Sequence, residues 1–122
     1  MPDVLGFLIH GFEKEDAEII LEFMRTFAGQ DVYPMSATGL ERKKVSAILN
    51  TASYENFASA EPRVFMFLGF NDDQISGAMK YFPVKERPIF CSLTEQNQHW
   101  TFDYLVEHLL EERAAFKNQP PR

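Results

Sequence analysis

The sequence predicts an α/β fold: one open sheet of four strands, mostly parallel or mixed, with helices on both faces and two βαβα halves. Three observations carry this. Two runs, "VLGFLI" (4–9) and "VFMFL" (64–68), are continuously apolar rather than alternating, the pattern of strands covered on both faces. Each is followed by a stretch of helical periodicity and then by a weaker strand and a second helix. The order strand, helix, strand, helix occurs twice in 122 residues, a length that fits one domain over 1–122. We place the first half at 4–51 and the second at 63–116.

Along the first half, residues 14–28 set Ile19, Ile20, Phe23, Met24 and Phe27 at helical spacing, with Glu and Arg opposite. The strand "VYPMSA" (32–37) contains Pro34, which cannot donate to a ladder and belongs on an edge. Thr38 and Glu41 have the spacing of a capping box, which predicts a helix over 39–51 with Leu40, Ile48 and Leu49 inward and the Arg42-Lys43-Lys44 run on its solvated face. The stretch "TASYENFASAEP" (51–62) joins the halves.

In the second half, Asn71 is placed to cap a helix with an apolar stripe of Ile75, Ala78, Met79 and Phe82, and Phe70 to staple against Ile75. The strand "PIFCSL" (88–93) starts with its proline, an allowed position. A last helix over 102–116 carries Leu105, Val106, Leu109 and Leu110, with His108 at the boundary of that stripe. The apolar strands should be central, giving the order 2-1-3-4. A two-fold relation between the halves would make the central pair antiparallel.

Residues as well as element order relate the halves. "FLIHGF" matches "FMFLGF", with Gly11 and Gly69 58 residues apart, and "MSAT" (35–38) matches "CSLT" (91–94). The halves then differ after the threonine, where the second carries an additional loop, "EQNQHW". Two copies of one unit are the favoured reading.

Composition discounts several functions. The formal net charge of −6 opposes phosphate backbones, so no nucleic-acid partner is expected. The single cysteine cannot form an internal disulfide, which fits a reducing cytoplasm, and no apolar run approaches the length of a membrane span. The turns "HGFEKED" and "LGFNDD" offer one glycine each and then acids where a phosphate would sit, so no nucleotide cofactor is expected. His10, His99 and His108 form no short metal motif, and we assign neither metal nor catalytic residues.

A Cys-dependent hydrolase using Cys91 with His10 or His99 is the weakest alternative, because a reactive thiol needs an electropositive, partly open setting and Cys91 sits in an apolar strand. The Trp100 loop has structural work to do: Thr101 can cap the last helix, Trp100 can staple against Leu105, and Asn97 can hold a turn. If all strands ran parallel, the His10-Gly11-Phe12-Glu13 turn, Ser36, Thr38, Ser92, Thr94 and Asn97 would share one carboxyl-end rim, and the tentative ligand site near it is Ser36, Thr38, Thr94, Asn97, His99 and Trp100. The leading reading is a non-enzymatic binding or protein-interaction module, either a homodimer or partnered by another protein through the edge strand around 32–37. A small-ligand sensor near Trp100 is the alternative.

Over residues 64–113, "LGFNDDQISGAM" and "SLTEQNQHWTFDYLVEHLLEER" resemble the small prokaryotic domain-of-unknown-function family 3783. In that family a strand ending in Gly-Phe leads to a helix, then to Leu-Thr-Pro-Thr-Asn-x-Asn-Trp-Thr and a leucine- and glutamate-rich helix. Leu93, Thr94, Asn97, Trp100, Thr101, Leu105, Glu112 and Arg113 match; Glu95, Gln96 and His99 depart. The resemblance implies the module and no particular reaction, and makes the first half a degenerate copy.

Overall fold

A computed structural model describes residues 5–51 and 53–117, and the side chains of these as far as Ala115. Val4, at the head of the first expected strand, lies outside the described residues. The elements run β1 (Gly6–His10), α1 (Lys14–Ala28), β2 (Tyr33–Ser36), α2 (Val45–Thr51), β3 (Val64–Leu68), α3 (Asp72–Lys80), β4 (Ile89–Ser92), a single 3-10 turn (Asn97–His99) and α4 (Phe102–Lys117). They form one four-stranded sheet in the order β2-β1-β3-β4. Pairing is parallel within each half and antiparallel between β1 and β3.

The two apolar strands hold the centre because both of their faces are covered. Phe7, Ile9, Phe65 and Phe67 point to the α1/α3 face, where they meet Ile20, Met24 and Ala78. Phe65 is the hub, with the rings of Phe67, Phe7 and Phe82 at 4.7, 5.3 and 5.5 Å. Leu8, Val64 and Met66 point to the other face, against Val45 and Ile48 of α2 and Phe102 and Leu105 of α4. One face is thus aromatic and the other largely aliphatic. Truncating a buried Phe here would cost about 3–5 kcal/mol.

The pairing is symmetric in detail. Leu8 faces Met66 at the centre and Met35 on its other side, while Met66 faces Cys91. Tyr33 N–H donates to Leu5 C=O and Ala37 N–H to Ile9 C=O; in the second half Ile89 donates to Arg63 and Leu93 to Phe67, at the corresponding positions. Gly11 and Gly69 both adopt positive φ, 90° and 83°, at the turn after their strands. Above the sheet, Lys44 and Thr101 form an isolated antiparallel bridge, Val45 N–H donating to Trp100 C=O and Phe102 N–H to Lys43 C=O. Both α2 and α4 therefore start at the same crossing point.

That bridge explains two departures from expectation. The helix predicted over 39–51 begins only at Val45, because the backbone of residues 43–45 is engaged with the segment ahead of α4. The Glu41 carboxylate, instead of closing a capping box with Thr38, accepts from Gly39 N–H at 2.6 Å. The basic run Arg42-Lys43-Lys44 is exposed, but it precedes the helix. Moreover, the segments from Thr38 to Lys44 and from Thr94 to Thr101 differ by one residue, so the Trp100 loop is no addition to the second half.

Other expectations hold. Asn71 caps α3 in a reciprocal box with Gln74, and Thr101 Oγ1 accepts from Tyr104 N–H at the start of α4. Ile19, expected on the inward stripe of α1, is 49% exposed, and Leu110 of α4 is 41% exposed. Those helices meet the sheet along a narrower line than the apolar count allows.

Candidate functional site

The antiparallel centre divides the expected rim. The carboxyl ends of β1 and β2 lie at one end of the sheet and those of β3 and β4 at the other. Ser36 and Thr38 are therefore at the end opposite Thr94 and Asn97, and the six residues do not form one site.

Ser36 is buried, and its hydroxyl donates to Asn56 C=O and accepts from Thr38 N–H at 3.3 Å. Its own N–H donates to Ser53 C=O at 3.0 Å. These bonds lay the connection between the halves along the outer side of β2. The same connection seats Tyr54 against Phe7, its hydroxyl donating to Ala17 C=O at 2.6 Å. Burial, and then the Glu18 carboxylate, raise the Tyr54 hydroxyl above its ordinary range. The outward positions of β2 thus offer no donor: Pro34 has no N–H, and that of Ser36 is taken.

At the other end, Asn97 is buried and fully engaged. It accepts from Thr94 N–H at 2.8 Å, donates to Ser92 C=O at 3.0 Å, and its N–H donates to Thr94 Oγ1 at 2.9 Å. The amide builds the turn and has little left for a ligand. His99 is exposed on the outside of that turn. The Trp100 indole is half-buried, packed along α4 with Tyr104 at 5.0 Å and His108 at 4.8 Å. It braces the flank of the helix, one and two turns on from Trp100 itself, and packs against the cluster that holds the expected staple partner Leu105.

Beside the turn is a cavity of about 270 Å³, lined by Cys91 and Ser92 of β4, by Thr94, Asn97 and Trp100, and by Leu105, His108 and Glu112 of α4. His108 Nδ1 lies 3.3 Å from Glu112 Oε1. Sequence reasoning missed His108 and Glu112; their i,i+4 spacing one turn beyond Tyr104 was the available signal.

A thiol, an imidazole and a carboxylate in one cavity resemble nucleophilic machinery, but the electrostatics run the wrong way. Burial, and then the Glu112 carboxylate, push the Cys91 thiol up to about 12 from an ordinary 9.0. A nucleophilic cysteine requires the opposite shift. Neither histidine proposed to assist it lines this cavity: His10 sits against Phe102 at 5.2 Å with Glu41 3.9 Å from its Nε2, and His99 faces outward. Among the described residues, no three His, Cys, Asp or Glu side chains gather as a metal site, and no helix is long and apolar enough to cross a membrane.

The fold and cavity define a small open-sheet α/β domain. Residues 63–116 match the family model described as Domain of unknown function (DUF3783), a match that takes in β3, α3, β4 and every residue lining the cavity. No curated protein and no solved structure matches the chain.

Proposed function

We propose that this chain is a non-enzymatic binding module that takes an extended segment of a partner protein along the outer edge of β4. The observation that carries the reading is the contrast between the two sheet edges. In β4, Ile89 and Leu93 turn their N–H groups inward to β3, so those of Phe90 and Ser92 face outward. Neither forms a hydrogen bond among the described residues, whereas the corresponding positions of β2 are Pro34 and the bonded Ser36. An edge of that kind is a template for strand addition, in which the backbone supplies affinity and flanking pockets supply selectivity.

The test is selection of displayed random heptapeptides on the immobilised protein, with binding sites mapped by amide chemical shifts. Selected peptides should shift Phe90 and Ser92, and Ser92→Pro, which removes an outward N–H as Pro34 does in β2, should abolish their binding. Undiminished binding to that variant would overturn the reading.

The cavity supports a second reading, a small-ligand sensor. Its volume lies just below the ~300–1,000 Å³ usual for ligand sites. A thermal-shift screen of nucleotides and metabolites, read with Trp100 fluorescence, tests it; a hit that shifts Trp100 and Leu105 and leaves the Phe90 amide unmoved would favour the sensor.

We further propose that the two halves arose by duplication and that the module works in a reducing cytoplasm. The equivalent pairs Leu8–Met35 and Met66–Cys91 support the first: the offsets read from the sequence motifs are the offsets of the strand registers. The lone thiol supports the second.

A further inference from the structure

We infer that the segment taken up by β4 presents a basic side chain, Lys or Arg, to the cavity and acidic side chains at the two adjoining positions. This rests on the edge reading above and adds to it the chemistry of the partner.

Successive residues of an added strand project to opposite faces, in step with those they pair with. Cys91 belongs to the α2/α4 face and Phe90 to the α1/α3 face. A partner residue opposite Cys91 therefore points into the cavity lined by Trp100, His108 and Glu112. Those opposite Phe90 and Ser92 point to the other side, where the Arg87 guanidinium lies 5.3 Å from the Phe90 ring centre.

The two sides differ in charge. On the cavity side, the Glu112 side chain is 64% exposed. A cation entering there meets the Glu112 carboxylate beside the Trp100 indole, and the carboxylate favours it. On the other side the Arg87 guanidinium, held over Phe90 by its bond to Met79 C=O at 2.8 Å, favours carboxylates. The cavity has room for one long side chain.

The same arrangement disfavours a second copy of this chain as the occupant. Two β4 edges related by a two-fold axis normal to the sheet would bring like faces together, Glu112 towards Glu112 and Arg87 towards Arg87. A partner strand with the complementary alternation avoids both repulsions.

The probes are two capped heptapeptides, Val-Thr-Glu-Arg-Glu-Thr-Val and its charge inverse Val-Thr-Arg-Glu-Arg-Thr-Val, titrated at low salt into the full chain and followed by amide shifts and Trp100 fluorescence. The first should bind at least tenfold more tightly, moving the Phe90 and Ser92 amides and the Trp100 indole. Glu112→Gln, checked for an unchanged melting temperature, should cut that preference below threefold, and Ser92→Pro should abolish binding of both. Equal affinity, or a preference for the inverse, overturns the charge inference while leaving the edge reading intact. Binding that survives Ser92→Pro, or no binding of either peptide, overturns both. A dimer in light scattering that Ser92→Pro dissolves would assign the edge to a second copy. Tighter binding of both peptides after deletion of residues 118–122 would assign it to this chain's own tail. Either result overturns the inference.

Discussion

Cys91 offers the sharpest test of whether this cavity performs chemistry. Alkylation by iodoacetamide proceeds through the thiolate. At pH 8 a thiol titrating at 9.0 is about one-tenth ionised, whereas one pushed up to about 12 is ionised in about one molecule in ten thousand. The native protein should therefore react about a thousandfold more slowly than the same chain unfolded in urea, before any further loss from restricted access. Burial is the larger cause and Glu112 the smaller, so Glu112→Gln should speed the native reaction severalfold and still leave it far below the unfolded rate. The assay is the mass increment on Cys91 followed over time in native buffer and in urea. Native and unfolded rates within tenfold of each other would refute the reasoning, and would return the thiol, His108 and Glu112 to consideration as a nucleophile and its assistants.

Four further outcomes follow from the geometry. Gly11→Ala should cost more than about 2 kcal/mol in chemical denaturation, since the added Cβ would lie 2.4 Å from Ala60 C=O at a φ of +90°; a loss below half that would contradict the tight turn. Asn97→Ala should lose about 1–3 kcal/mol, because Thr94 N–H and Ser92 C=O lose their side-chain partner together, and the Trp100 emission should shift to the red. Asn71→Ala should lose about 1 kcal/mol as an N-cap, while Thr38→Ala, whose hydroxyl caps no helix, should stay within about 0.5 kcal/mol. Stability should fall as pH rises from 9.0 towards 12. The unfolded thiol gives up its proton around 9.0 and the native one near 12, so this contribution is complete below 9.0 and lost above it. The loss is at most about 4 kcal/mol, and Cys91→Ala should flatten the slope between 9.0 and about 10, above which the raised Tyr54 hydroxyl adds a slope of the same sign.

What the sequence made legible is what local physics decides. Continuous apolar runs put β1 and β3 in the middle, Pro34 put β2 on an edge, and Asn71 placed the start of α3. Each of those features depends on residues within a few positions of one another. The features that escaped depend on distant partners. Nothing near Thr38 reveals that residues 43–45 bond to Trp100 and Phe102 and so delay α2 until Val45. Nothing near Cys91 reveals that Glu112, 21 residues on, comes close enough to act on its thiol. The direction of β3 was equally hidden, because an apolar strand reads the same whichever way its neighbour runs, and the expected single rim depended on that direction.

The antiparallel centre also explains why the site lies where it does. Under the two-fold relation, the outer edges of β2 and β4 are equivalent places, each followed by a turn and a helix that starts at the Lys44–Thr101 bridge. The halves diverge in what happens next. Helix α2 stops after seven residues, and the chain beyond it returns along β2, spending the backbone of Ser53 and Asn56 on Ser36. Helix α4 continues for sixteen, carrying His108 and Glu112 out beside Cys91 in place of a returning strand. The Ser36 side of the fold is thus a filled version of the Ser92 side. A segment laid along β4 would occupy the position that the connection already takes along β2, and the Ser92 N–H it would meet corresponds to the Ser36 N–H which that connection satisfies.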